Sequence, residues 1–243
     1  MNSIIDQKIL GIIGGMGPRV DGELITLIHN HTSATEDSEH IPIILDGNCS
    51  RPDRSKYLCG DCESPLPSIL SSLHKLENAG ANIIAMPCNT AHCFSCELKA
   101  SAKLGVTVID MIDEVCQNCK KRDFNTVTLL ATSGTYRSGI YEKRLRSLGM
   151  TCVYPDENVI KEVCEEIKYI KSGQSRNIKR LIEKALCVSD GVITGCTELS
   201  ISIINNRELK TPRFSERISD SLSALAASCI KICKKQSLPI CFT

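Results

Sequence analysis

The chain has 243 residues, enough for one large α/β domain or two of about 100–120 residues. Hydrophobic residues make up 42% and charged residues 23%, and the formal net charge of +1 gives no basic excess for holding nucleic acid. Lys120-Lys121-Arg122 and Lys234-Lys235 read as solvated helix ends, and no uncharged apolar run approaches the ~20 residues that span a bilayer.

There are 15 cysteines, far more than usual. A strand starting at Lys8 leaves no room for a leader peptide, so a cytosolic chain with mostly reduced, core-filling thiols is expected. Cys59-x-x-Cys62, Cys93-x-x-Cys96 and Cys116-x-x-Cys119 have metal-like spacing. The second and third pairs fall in helical patterns, and Cys59/Cys62, in a polar loop, is the most credible of the three. No metal is expected at the site described below.

Taken in order, Lys8–Ile13 reads as a strand running into Gly14-Gly15-Met16-Gly17-Pro18, a turn whose glycines allow a ligand close to the backbone. The third glycine of a dinucleotide fingerprint is absent, since Val20 stands there. A helix is predicted from Val20 to Thr35, a strand from Ile41 to Leu45, and a long polar loop from Asp46 to Pro67 that carries Arg51-Pro52-Asp53-Arg54. A helix over Ser68–Ala79, closed by Gly80, leads to the apolar strand Ile83–Met86 and then Pro87-Cys88-Asn89-Thr90-Ala91-His92. Asn89 and Thr90 cap helices well, and a helical pattern continues through Leu104. Val106–Asp110 reads as a strand and Ile112–Lys121 as a helix.

The pattern then restarts. A strand at Thr126–Leu130 enters the small polar loop Ala131–Thr135, followed by a helix at Tyr136–Leu148 and a strand at Thr151–Tyr154. Helices at Val159–Lys171 and Ile178–Leu186 precede Val192-Ile193-Thr194-Gly195-Cys196-Thr197-Glu198. The last segment, Ile218 to Cys233, reads as an amphipathic helix that packs back on the first half. Alternating βα units with short connections predict parallel sheets covered on both faces, here in two duplicated halves. The expected boundaries are 1–115 plus 215–243 for one domain and 116–214 for the other.

In open α/β sheets, ligands bind beyond the carboxyl ends of the strands. Met16, Arg54, Cys88, Thr132 and Cys196 are all predicted there. A cysteine at a helix N-terminus has a lowered pKa, and a thiolate facing a thiol suits proton removal from one face of a carbon and return from the other. The carbanion-like transition state needs N–H and hydroxyl donors, available from Asn89, Thr90, Thr197 and Thr132-Ser133. Arg54 or a lysine supplies the cation for a substrate carboxylate. His92 reads as a hydrogen-bonded residue rather than a proton carrier, and Met16 as packing or backbone positioning.

At these residues the sequence resembles the aspartate/glutamate racemases, in particular the aspartate racemase branch. The resemblance rests on Gly11–Pro18, Pro52-Asp53-Arg54, Pro87–His92, Leu129–Thr135, Ile170-Lys171-Ser172-Gly173 and Gly195–Leu199, in the family's order. It implies two pseudo-symmetric, Rossmann-like α/β domains with the active site in the cleft between them, a homodimer, an acidic amino acid as substrate and no cofactor. By the same resemblance Cys88 and Cys196 form the acid–base pair, with Cys196 acting on the L-substrate and Cys88 on the D-substrate. Arg54 and Lys171 grip the side-chain carboxylate. Asn89, Thr90, Ala91, Thr132, Ser133, Thr197 and Met16 surround the rest of the substrate, with Glu198 and Thr135 in support.

The chain departs from the family pattern at Arg19-Val20-Asp21 and at Phe214-Ser215, where relatives show an aspartate after the last strand. On that alignment Arg19 adds a positive charge near the site and Ser215 removes a negative one. Two alternatives keep the scaffold: a dicarboxylate isomerase or decarboxylase, and a glutamate-specific racemase. A third is a cysteine-based metal-binding or redox-sensing protein.

Overall fold

The computed structural model describes residues 8–174 and 176–236. Two four-stranded, wholly parallel sheets form its two halves. The first contains β1 (Leu10–Ile13), β2 (Ile43–Asp46), β3 (Ile83–Ala85) and β4 (Thr107–Val108) in the order β2-β1-β3-β4. The second contains β5 (Thr126–Ala131), β6 (Thr151–Val153), β7 (Gly191–Gly195) and β8 (Ile218–Asp220) in the order β6-β5-β7-β8. The two orders match strand for strand, so the repeat read from the sequence is a repeat of topology.

Burial on both faces explains why the strands are continuous apolar runs. Leu10, Ile12, Ile83 and Ala85 point into a core that extends through the second half, while Ile13 and Ile84 point into a separate cluster on the outer face of the first sheet. That outer face is covered by α3 (Leu66–Asn78), whose Ile69, Leu73 and Leu76 are buried. The inner face meets α1 (Pro18–His31) and α5 (Met111–Lys121).

Several predicted boundaries move for local reasons. α1 starts at Pro18, whose fixed φ suits a first helical position, and stops at Thr32, whose hydroxyl bonds back to the Ile28 carbonyl. The predicted Asp46–Pro67 loop contains a short helix, α2 (Arg54–Cys59), capped by Asp53 and closed by Gly60 at φ 86°. After Cys88 the chain forms a 3-10 turn, Thr90–Phe94, and then only α4 (Ser95–Ser101) rather than a helix to Leu104. Asn89 makes no capping bond because its side chain is committed elsewhere. The helix predicted at Tyr136–Leu148 is divided by Gly139, at φ 62°, into α6 (Ser133–Ser138) and α7 (Ile140–Ser147).

The remaining helices of the second half are α8 (Glu157–Lys171), α9 (Lys179–Leu186), α10 (Thr197–Ile204) and α11 (Pro212–Ser215). Ile218–Asp220, expected as the start of the last helix, is instead a strand of the second sheet. The helix itself, α12 (Ser221–Lys234), begins at an Asp220 cap and packs on α1 and α5. Among the described residues no helix is long and apolar enough to cross a membrane. No three His, Cys, Asp or Glu of those residues gather to hold a metal, and their cysteines are free thiols.

Candidate active site

Four equivalent strand ends deliver the site. β1 releases the Gly14–Gly17 turn and β5 releases Thr132, while β3 leads to Cys88 and β7 to Cys196. The glycine turn is tight: Gly15 sits at φ 82°, and a Cβ there would collide with the Asn48 backbone. Arg51 pins the turn from below. Its buried guanidinium donates to the Gly14 carbonyl, to Ser72 Oγ and to Asp46 Oδ2.

These ends close around one narrow cleft. The first half contributes Met16, Arg54, Cys88, Asn89 and Thr90, and the second Thr132, Lys171, Cys196, Thr197 and Glu198. Both sulfurs belong to buried residues that line it, Cys88 at 6% and Cys196 at 5% exposure. Three residues named from the sequence lie outside the lining. Ala91 is packed in the outer core of the first sheet, and Ser133 faces solvent. Thr135 is buried directly behind Thr132, hydroxyl to hydroxyl at 3.1 Å. Asp53 and Ser55, which the sequence reading left out, complete the wall from the start of α2.

The two thiols have different surroundings. Cys196 is the residue before α10, and its Sγ donates to Glu198 Oε2 at 3.0 Å. Burial, then the Glu198 carboxylate, holds its thiol well above the ordinary range, against the opposing pull of Lys171. The helix N-terminus alone had suggested a lowered value, and desolvation with an adjacent carboxylate outweighs it. Glu198 Oε1 lies 3.6 Å from Lys171 Nζ. Lys171, the last residue of α8, is kept charged: burial lowers its pKa, but Glu198 and the two cysteines together raise it further.

Cys88 is placed by its backbone. Its carbonyl accepts from His92 Nδ1 at 2.8 Å, while His92 Nε2 accepts from the Met111 N–H at 3.1 Å. An amide N–H can only donate, so the imidazole carries its proton on Nδ1. Burial pushes the ring's pKa down and keeps it neutral. His92 is therefore a strut between Cys88 and α5.

Polar side chains knit the halves together around the cleft. Thr90 Oγ1 lies 3.0 Å from Thr132 Oγ1 and 2.9 Å from Thr135 Oγ1. Thr197 Oγ1 donates to the Pro87 carbonyl at 3.2 Å. Asn89 Oδ1 accepts from the buried Tyr141 hydroxyl at 2.5 Å, and Nδ2 donates to Ser221 Oγ at 3.0 Å. These bonds fix which way the carboxamide faces and leave its remaining N–H as a donor. Arg54 donates to the carbonyls of Pro52 and Met16, while its Nε is buried without a partner. An orphaned donor on a guanidinium at a cleft is a ready seat for a carboxylate.

Asp21 and Arg19 both work near the site. Asp21 Oδ2 accepts from the Gly15 N–H at 2.6 Å, and burial pushes its carboxyl up to about 6 despite that bond and the nearby Arg51. Arg19 donates to the Ile170 carbonyl at 2.9 Å, so its charge braces the end of α8 beside Lys171. Ser215 lies elsewhere, in α11 ahead of β8 and so at the far end of the sheet. The aspartate of the last strand is Asp220, which accepts from Thr194 Oγ1 and caps α12.

A family model described as Asp/Glu/Hydantoin racemase matches residues 13–229. The chain belongs to this racemase family. A broad specificity amino-acid racemase, RacX, of Bacillus subtilis (strain 168) is 26% identical over 230 residues, covering 91% of this chain and 96% of that one. The structure of an aspartate racemase from Picrophilus torridus superposes with a TM-score of 0.79 at 31% identity, covering 95% of this chain and 96% of that one. A glutamate racemase from Francisella tularensis subsp. tularensis SCHU S4, solved with D-glutamate, shares the fold at a TM-score of 0.65 and 16% identity, over 95% of this chain and 82% of that one.

Proposed function

We propose that this racemase-family enzyme interconverts L- and D-aspartate without a cofactor, using Cys88 and Cys196 as opposed acid and base. The observation that carries the reading is the pair of strand-end thiols lining one small cleft together with Arg54 and Lys171. A thiolate on one face takes the Cα proton, and the electron pair passes into the α-carboxylate. The thiol on the other face returns a proton, which inverts the carbon. Thr90, Thr132 and the free N–H of Asn89 line the cleft and serve in this reading as donors to that developing charge, joined by the Thr197 backbone N–H at the start of α10, since the Thr197 hydroxyl is given to the Pro87 carbonyl. Arg54 and Lys171 take the side-chain carboxylate, and the choice of aspartate is supported by the likeness to the Picrophilus torridus aspartate racemase, 31% identical over 95% of this chain. The resemblance also carries a homodimer as the working form, which light scattering on the purified protein tests.

Incubating the protein with L-aspartate in heavy water should place deuterium at Cα and yield D-aspartate. Neither label nor enantiomer across a panel of acidic amino acids would remove this reading. Decarboxylation or double-bond isomerisation of a dicarboxylate in the same panel would put the scaffold's other chemistry in its place.

A further inference from the structure

Glu198 is held between two partners. Its Oε2 accepts from Cys196 Sγ at 3.0 Å, while Oε1 has no hydrogen-bond partner and lies 3.6 Å from Lys171 Nζ. The Glu198 side chain is 6% exposed and that of Lys171 is 44% exposed. Gly17 packs closely enough that a Cβ there would lie 3.2 Å from Oε1. If one member of the ion pair moves, it is the lysine, the more exposed and longer of the two side chains.

A dicarboxylate entering the cleft brings Lys171 a second anion. We propose that Lys171 transfers its pairing from Glu198 to the side-chain carboxylate of the bound substrate, and that Glu198, deprived of its cation, then takes the proton from Cys196. The S–H bond breaks, an O–H bond forms on Oε2, and the electron pair stays on sulfur, so the charge of the Cys196–Glu198 pair is unchanged. The direction follows from geometry. Lys171 pairs with Oε1, the carboxylate oxygen that does not face the sulfur, so its departure raises the proton affinity of the carboxylate more than that of the thiol.

Glu198 is thus a positioning residue for the proton, and substrate recognition arms the base. The free enzyme keeps Cys196 protonated, and an amino acid with no side-chain carboxylate would bind without releasing Lys171. This inference rests on the racemase reading above.

Succinate tests it, because it carries two carboxylates and no amino group or exchangeable stereocentre. In a Cys88→Ala protein, succinate should bind by calorimetry and raise the ultraviolet thiolate absorbance toward a single added thiolate. The rise should vanish in Cys88→Ala/Glu198→Gln and in Cys88→Ala/Cys196→Ala, each of which should still bind succinate and show an unchanged circular dichroism spectrum. Succinate binding with no thiolate gain, or a gain that survives Glu198→Gln, would overturn the proton hand-over and leave the racemase reading standing. No binding at all would overturn the hand-over, whose trigger is the pair of carboxylates, while the heavy-water exchange with L-aspartate decides the racemase reading separately.

Discussion

On the racemase reading, Cys88 and Cys196 each serve one face of the reaction, so removing either should stop it. Cys88→Ala and Cys196→Ala should each lower kcat for racemisation by about 10²–10⁴-fold, followed as D-aspartate formed from L-aspartate. Asp21 gives a second prediction at this scale. Its carboxyl rises from 3.8 to about 6 on folding, so the folded state holds the proton more tightly than the unfolded one. Stability from this group therefore falls as pH climbs through that window, and the penalty is complete above about pH 6. Asp21→Asn should gain on the parent by about 1–2 kcal/mol between pH ~4 and ~7 once partial screening is allowed for, read from urea midpoints. The thiols were legible because an apolar strand, a sharp turn and a small polar residue recur together. Asp21 was visible only as a departure from a pattern. Its bond from the Gly15 N–H and its place near the Arg51 charge depend on burial that no local signal encodes.

At the scale of elements, Asp220 joins β8, β7 and α12 at one point. It caps the helix through Ser223 N and accepts from Thr194 Oγ1 at 2.7 Å. Asp220→Ala should cost about 1–2 kcal/mol in urea unfolding. α2 and α6 meet across the cleft at Gly134, where a Cβ would come within 2.7 Å of the Ser55 Cα. Gly134→Ala should push the helices apart, costing about 1–3 kcal/mol and raising KM through Ser55 and Thr132, more than it lowers kcat. Seven of the eight described strands were readable, each as an apolar or β-branched run between turn signals, as were the helices that cover them. β8 was not. Ile218-Ser219-Asp220 is too short to show a period, and it becomes a strand only by pairing with β7. The Asn89-Thr90 segment misled for the opposite reason: good capping side chains were drawn into bonds with Tyr141, Ser221 and Thr132.

At the scale of the whole molecule, one core crosses between the sheets. Leu10 and Ile12 of the first sheet belong to the same buried cluster as Leu129 and Ile193 of the second, with α12 bridging them. Unfolding in urea should therefore be a single transition, with circular dichroism and tyrosine fluorescence superimposing; a plateau in either would show that the halves part separately. The repeated topology makes the backbone around the substrate close to symmetric, yet the residue two places after each thiol differs, Thr90 in one half and Glu198 in the other. Enantiomers have equal free energy, so on the racemase reading kcat/KM has to be identical in the two directions at every pH. Unequal thiol settings can then show themselves only as a trade: whichever mirror form is turned over faster must also saturate the enzyme at a proportionately higher concentration.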